Sequence, residues 1–389
     1  MRVAALLNHD APHQVPHCAP FAFALSVLRP DWDVAILCSS EAEADFAADI
    51  GRLHPGHACR IERLRVPAWA RALDPVARHV AFVRKSAVQR ANLDRLSRLD
   101  ALITPEKTSL NLRRDPRMGG VRLIWTGHGA GDRYAQFGAF DPRIDAFDLT
   151  LLPGPGLARR MRDAGLLRGA PYAIVGYPKL ELAAPARAAP PVFDNGRPTA
   201  LYNPTQNREG SSWHRHGRAV LEVFARQDRW NLIFAPHVVL FSRSLTKGAR
   251  FPRGLADGPG LRVDRGSRAS VDMTYLSQAD LYLGDMSSQI YEFIARPRPA
   301  VFIDPFEDDR PRDFPSWRFG PVIRGADELE AALTHAVEDF ERYRPIQEAA
   351  AAERFAVHDA PASVCGARAA AAFLETGRVE PRFLLPDDR

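Results

Sequence analysis

Short apolar runs recur along the whole chain, each two to six residues long, and polar or helix-compatible stretches separate them. Seven lie in the first half, at 2–7, 33–38, 61–66, 101–104, 121–125, 149–152 and 173–175; six more lie at 199–202, 231–235, 261–263, 281–283, 300–303 and 322–323. Runs of this length predict buried strands. Helical patterns between them, for example over 75–99, 216–225 and 327–342, make the order an alternation of strand and helix. That alternation predicts parallel sheets covered on both faces. Residues 182–198 are rich in Ala and Pro and lack periodicity, which predicts a linker. An alanine-rich stretch over 345–375 predicts helix. The expected architecture is α/β with two Rossmann-like domains and a cleft between them: residues 1–185, then 186–365, then a helical tail over 366–389. The tail is expected to pack back on the first domain.

The polar residues fall where such a fold needs them, because open parallel sheets bind ligands beyond the carboxyl ends of their strands. The first run leads into His9, and the run at 121–125 into Thr126-Gly127-His128-Gly129. In the second half, runs lead into Asn203-Pro204-Thr205-Gln206-Asn207-Arg208, into Pro236-His237, and into Gly284-Asp285-Met286-Ser287-Ser288. The glycines around His128 let backbone approach a ligand and leave the imidazole unobstructed. A histidine titrates near neutrality, so it can accept a proton from a hydroxyl. Residues 279–304 read as strand, turn, helix, strand. Ser287 and Ser288 open that helix, where unpaired N–H groups favour a phosphate.

Composition narrows the classes. The chain has 389 residues, 46% hydrophobic and 25% charged, which is globular and long enough for two cores. No apolar run approaches membrane-spanning length, and no secretory leader pattern opens the chain. Cys18, Cys38, Cys59 and Cys365 form no C-x-x-C pair and predict reduced thiols in a cytoplasmic protein. Residues 1–190 hold 26 Lys and Arg against 19 Asp and Glu, net +7; the remainder holds 26 against 28, net −2. A basic first half, with Arg113, Arg114, Arg117 and Arg122, fits an anionic partner, and an anionic membrane surface is expected. No nucleic-acid-binding pattern is present. The dinucleotide G-x-G-x-x-G and the P-loop are both missing. His9, His13 and His17 are spaced by four, but Pro12 and Pro16 interrupt a helical metal face, so no metal site is expected there.

Taken in order, these elements resemble the CDP-glycerol glycerophosphotransferase family, the teichoic-acid primases and polymerases, whose catalytic domain has the GT-B fold. The resemblance runs over about residues 120–370 and rests on Thr126-Gly127-His128-Gly129, Gly176-Tyr177-Pro178, Tyr202-Asn203-Pro204-Thr205, Pro236-His237, 279–288 and 299–304. It differs where Pro236 precedes His237, where Gln206 follows Pro204-Thr205, and where Met286 precedes the serines.

The resemblance implies a transferase. It would move a polyol-phosphate unit from a CDP-polyol such as CDP-glycerol to a hydroxyl of a glycan or lipid-linked acceptor of the cell envelope. The enzyme would lie in the cytoplasm, peripheral at the inner face of the membrane. His128 would be the general base, and His237 would stabilise phosphate or protonate the leaving group. Gly129, Thr205, Asn207, Arg208, Asp285, Ser287 and Ser288 would bind the donor. His128 and His237 would act from opposite walls of the cleft. The resemblance implies no definite cofactor and leaves a divalent cation open. The alternative is a GT-B glycosyltransferase using a nucleotide sugar for surface polysaccharide; a catalytically silent scaffolding subunit is a third reading.

Overall fold

The computed structural model describes residues 1–389 except 9, 78–82, 131–139, 168, 243–248, 309–311 and 389. The expected strand at His9 therefore ends just before a residue outside the described set.

All thirteen predicted strands form, and they assemble into two parallel sheets. The chain divides into two compact units, Met1–Glu181 with Ala352–Arg389, and Leu182–Ala351. Residues 352–365 thus belong with the first unit rather than the second.

The first unit holds β1 (Arg2–Leu7), β2 (Asp33–Cys38), β3 (Arg60–Arg63), β4 (Ala101–Thr104), β5 (Arg122–Trp125), β6 (Leu149–Leu152) and β7 (Tyr172–Ile174). Their spatial order is β3-β2-β1-β4-β5-β6-β7, with every pairing parallel. The order reverses between β1 and β4, and a switch point of this kind opens a crevice above the strand ends. One face packs Leu6, Leu37, Leu102, Leu123, Trp125 and Leu152 into a single core. Against the other lies helix Ala19–Leu28, whose Phe21 and Phe23 are fully buried. Helix Ala362–Thr376 packs on that helix so closely that a Cβ at Gly366 would lie 2.2 Å from the Phe21 ring.

The second unit repeats the plan with β8 (Thr199–Asn203), β9 (Asn231–Phe234), β10 (Leu261–Val263), β11 (Leu281–Gly284), β12 (Ala300–Ile303) and β13 (Val322–Ile323). The order β10-β9-β8-β11-β12-β13 is again parallel and reverses between β8 and β11. Its core gathers Tyr202, Phe234, Leu283, Val301 and Ile303 under helices Trp213–Arg226 and Leu329–Glu338.

Three helical expectations are corrected. The 75–99 pattern resolves into Ala68–Ala77, Val83–Ala91 and Leu93–Leu96, with 78–82 outside the described residues. The tail is two helices, Phe340–Arg354 and Ala362–Thr376, because the chain breaks helix to bond Pro153: the Ala356 N–H donates to its carbonyl at 2.8 Å. The expected linker is largely folded onto the second unit. Residues Ala183–Ala188 form a helix, and Gln278 donates to the carbonyls of Ala186 and Pro190 while accepting from the Val192 N–H. One glutamine amide satisfies three backbone groups that an open linker would leave to water.

Candidate active site

Beyond the carboxyl end of β5, one strand over from the switch point of the first sheet, His128 stands between Gly127 (φ +66°) and Gly129 (φ +139°). Both values lie where glycine is at ease and other residues are strained, so the glycines are the condition for this turn. His128 is exposed, but its Nδ1 is fixed: it lies 3.0 Å from the Pro105 carbonyl, which also accepts the Trp125 Nε1–H at 3.2 Å. A carbonyl can only accept, so the bonded Nδ1 carries the proton. The neutral ring then presents a bare Nε2, the atom that takes a proton from a substrate.

Behind that ring lies a carboxylate that sequence reasoning missed. Glu106 follows β4, is buried, and places Oε1 3.9 Å from His128 Nδ1. Its oxygens accept from Gln14 Nε2, from Lys85 Nζ at 2.7 Å and from Thr108 Oγ1 at 3.3 Å. Lys85, itself buried, balances the Glu106 charge. The 3-10 helix Pro12–His17 supplies Gln14 and also His13, whose ring centroid is 6.3 Å from that of His128. Buried Glu43 holds this segment in place by accepting from the Ala11, Ser39 and Ser40 N–H groups. Further in, His17 is buried against Tyr177. Burial first, then the charges of Lys179, His128 and His13, push its pKa well down, so it is neutral near pH 7.

The switch point of the second sheet gathers the loops after β8, β9 and β11. His237 is half-buried, and its Nδ1 accepts the Val239 N–H at 3.2 Å. This bond is the reverse of that at His128: the neutral ring carries its proton on Nε2, where it can donate. Asp285 is 0% exposed and accepts from the Thr205 N–H (2.9 Å), the Ser212 N–H (2.8 Å) and the Ser212 hydroxyl (2.9 Å). Burial outweighs these donors and raises its pKa to about 7. Ser287, 3% exposed, donates to Asn203 Oδ1 at 3.2 Å and accepts the Gln289 N–H.

Both side chains are spent on the protein interior, tying the β8 loop to the β11 loop. That changes the expected phosphate cradle. Ser288 is half-buried, and its hydroxyl has no protein partner among the described residues. The helix it heads, Gln289–Ile294, has only six residues. Thr205 and Asn207 are half-buried and Arg208 is exposed. Sequence reasoning passed over two neighbours at the start of the fourteen-residue helix Trp213–Arg226. The Ser211 hydroxyl and His214 Nε2 are buried without a partner among the described residues. Burial, then the Arg208 charge, lowers the His214 pKa.

Among the described residues, no three His, Cys, Asp or Glu side chains gather as a metal-binding group. The four cysteines are free and buried.

No protein-family model matches the sequence, and no curated protein matches it. Solved structures do. A wall teichoic acid polymerase, TagF, is similar over 97% of this chain and 89% of its own, at 13% identity and a TM-score of 0.60. The protein TcCGT1, solved with UDP, is similar over 97% and 99%, at 14% identity and a TM-score of 0.61. MnaA of S. aureus, also solved with UDP, is similar over 96% of each chain, at 10% identity and a TM-score of 0.58. With two parallel sheets that each reverse order after their first strand, the chain has the α/β GT-B fold, built of two Rossmann-like units.

Proposed function

We propose that the protein transfers a polyol-phosphate unit from a CDP-activated donor, CDP-glycerol or a close analogue, to a hydroxyl of a cell-envelope glycan or lipid-linked acceptor. The observation that carries this reading is the opposite setting of the two histidines, an acceptor at Nε2 of His128 and a donor at Nε2 of His237. Attack of a hydroxyl on a diphosphate needs one group to take a proton and another to give hydrogen bonds to phosphate. The acceptor oxygen bonds to the β-phosphorus as its proton passes to His128. The bond from that phosphorus to the oxygen bridging to the α-phosphate breaks, and CMP leaves with its new charge met by His237. Ser288, Thr205, Asn207 and Arg208, with Ser211 and His214 beside them, hold the donor phosphates, while Asp285 and Ser287 hold the loops that carry them. Likeness to a polymerase that has also been solved with CDPG supports this donor class.

A nucleotide-sugar glycosyltransferase is the second reading, favoured by the likeness to two proteins solved with UDP. A product screen with purified protein separates the two. CMP released from CDP-polyols supports phosphoryl transfer; a nucleoside diphosphate released from a sugar donor supports glycosyl transfer. Neither product, with a broad acceptor panel, defeats both.

A further inference from the structure

The arginines that made the first half look membrane-seeking are mostly committed elsewhere. Arg113 and Arg122 pair with Asp148, and Arg117 pairs with Asp94 and Asp115. Only Arg114 of that group has no carboxylate partner among the described residues. A different surface of the first unit carries free charge together with exposed apolar side chains.

Helix Ala68–Ala77 buries Ala70 yet leaves Trp69 and Leu73 each 54% exposed, and Val83 opens the neighbouring helix Val83–Ala91 at 36%. Between the two helices lies a cavity of about 700 Å³, lined among the described residues by Pro67, Trp69, Val83 and two alanines, with Ser86 and Arg90 the polar ones. Arg90 lines the cavity, Arg71 reaches back to the Val66 carbonyl beside its wall residue Pro67, and Arg65 precedes that wall in the chain. All three are exposed, and none pairs with a carboxylate among the described residues. Arg71 instead donates to the Val66 carbonyl, and Arg65 is held through its backbone by Asn92. The carboxylate on the helix, Asp74, is neutralised by Arg84. An exposed Trp and Leu beside an open apolar groove, with guanidinium groups nearby that have no carboxylate partner among the described residues, match an interface between acyl chains and anionic headgroups.

We infer that this face of the first unit, centred on Trp69 and Leu73, docks on an anionic phospholipid surface. Trp69, Leu73 and the cavity take the acyl region, and Arg65, Arg71 and Arg90 take lipid phosphates. The inference goes beyond the transfer reaction and needs no activity to be tested.

The experiment is co-sedimentation of the full chain with phosphatidylcholine vesicles, with and without about one-third phosphatidylglycerol. Wild type binds the anionic vesicles, and binding weakens as salt rises. Trp69→Ser with Leu73→Ser abolishes most binding. Arg71→Gln and Arg90→Gln each weaken it about fivefold on anionic vesicles alone, the worth of one basic residue near such a surface. Arg113→Gln with Arg122→Gln leaves it unchanged. The substituted patch residues lie at the surface, and circular dichroism confirms that each variant folds. Wild type that ignores both vesicles overturns the inference. So do patch variants that bind like wild type, or loss confined to Arg113→Gln with Arg122→Gln. A concentration-dependent dimer abolished by Trp69→Ser would assign the face to a second copy of the chain and likewise overturn it.

Discussion

His128 is held by one hydrogen bond and backed by one carboxylate, and each can be removed separately. His128→Ala should lower turnover by about two to four orders of magnitude, the usual worth of a positioned base, with donor affinity nearly unchanged. His237→Ala should weaken donor binding as well, because a hydrogen bond to phosphate is lost in ground and transition states alike. Steady-state kinetics with donor titration checks both. Glu106→Gln removes the carboxylate paired with the buried Lys85 ammonium and should cost about 3 kcal/mol of stability in urea unfolding. Adding Lys85→Met should restore much of that stability but not the turnover, which depends on the carboxylate behind the imidazole. The G-H-G sequence made His128 visible, since glycines on both sides leave a ring open to approach. Glu106 was invisible because nothing near it in sequence distinguishes it. Its contact with the ring exists only because β4 lies beside β5.

At the scale of elements, Asp285 is the knot between β8 and β11, and its proton has a pH consequence. Its folded pKa is raised to about 7, above the ordinary 3.8, so the folded state holds this proton more tightly than the unfolded chain does. Its contribution to stability is full below about pH 4 and is lost as pH rises to about 7, by up to about 1.4 kcal/mol per pH unit. Unfolding midpoints at pH 5 and pH 7 should show that slope, and Asp285→Asn should remove it. A second knot is steric. A Cβ at Gly154 would sit 2.2 Å from the Arg354 carbonyl oxygen, where the returning chain crosses the end of β6. Backbone cannot yield as a flexible side chain can, so Gly154→Ala should destabilise by about 1–3 kcal/mol, read as a lowered Tm. The Asp-x-Ser-Ser corner was legible as a strand-turn-helix junction, and its hydrogen bonding was not. A strand-turn-helix pattern shows that a corner exists, but not which of its oxygens turn inward to satisfy neighbouring N–H groups. Ser287 turned inward, and the Ser288 hydroxyl has no partner among the described residues.

Across the whole molecule, thirteen apolar runs were enough to foresee both sheets, because strands buried on two faces leave a strong mark on sequence. Where the chain changes unit left a weaker mark. Ala and Pro at 182–198 suggest a spacer, yet a single amide from Gln278 folds much of it onto the second unit. Charge could be counted from sequence but its pairing could not: Arg113, Arg117 and Arg122 meet carboxylates that only the fold brings to them. The first unit is made from two separated pieces of chain, Met1–Glu181 and Ala352–Arg389, and the second is one uninterrupted piece. On the ribosome this sets an order of events. Residues 182–351 emerge as a complete folding unit, whereas helix Ala19–Leu28 must wait for helix Ala362–Thr376 to cover Phe21. The unit begun first is therefore the last to be finished, and until translation passes residue 376 the apolar face around Phe21 stays uncovered.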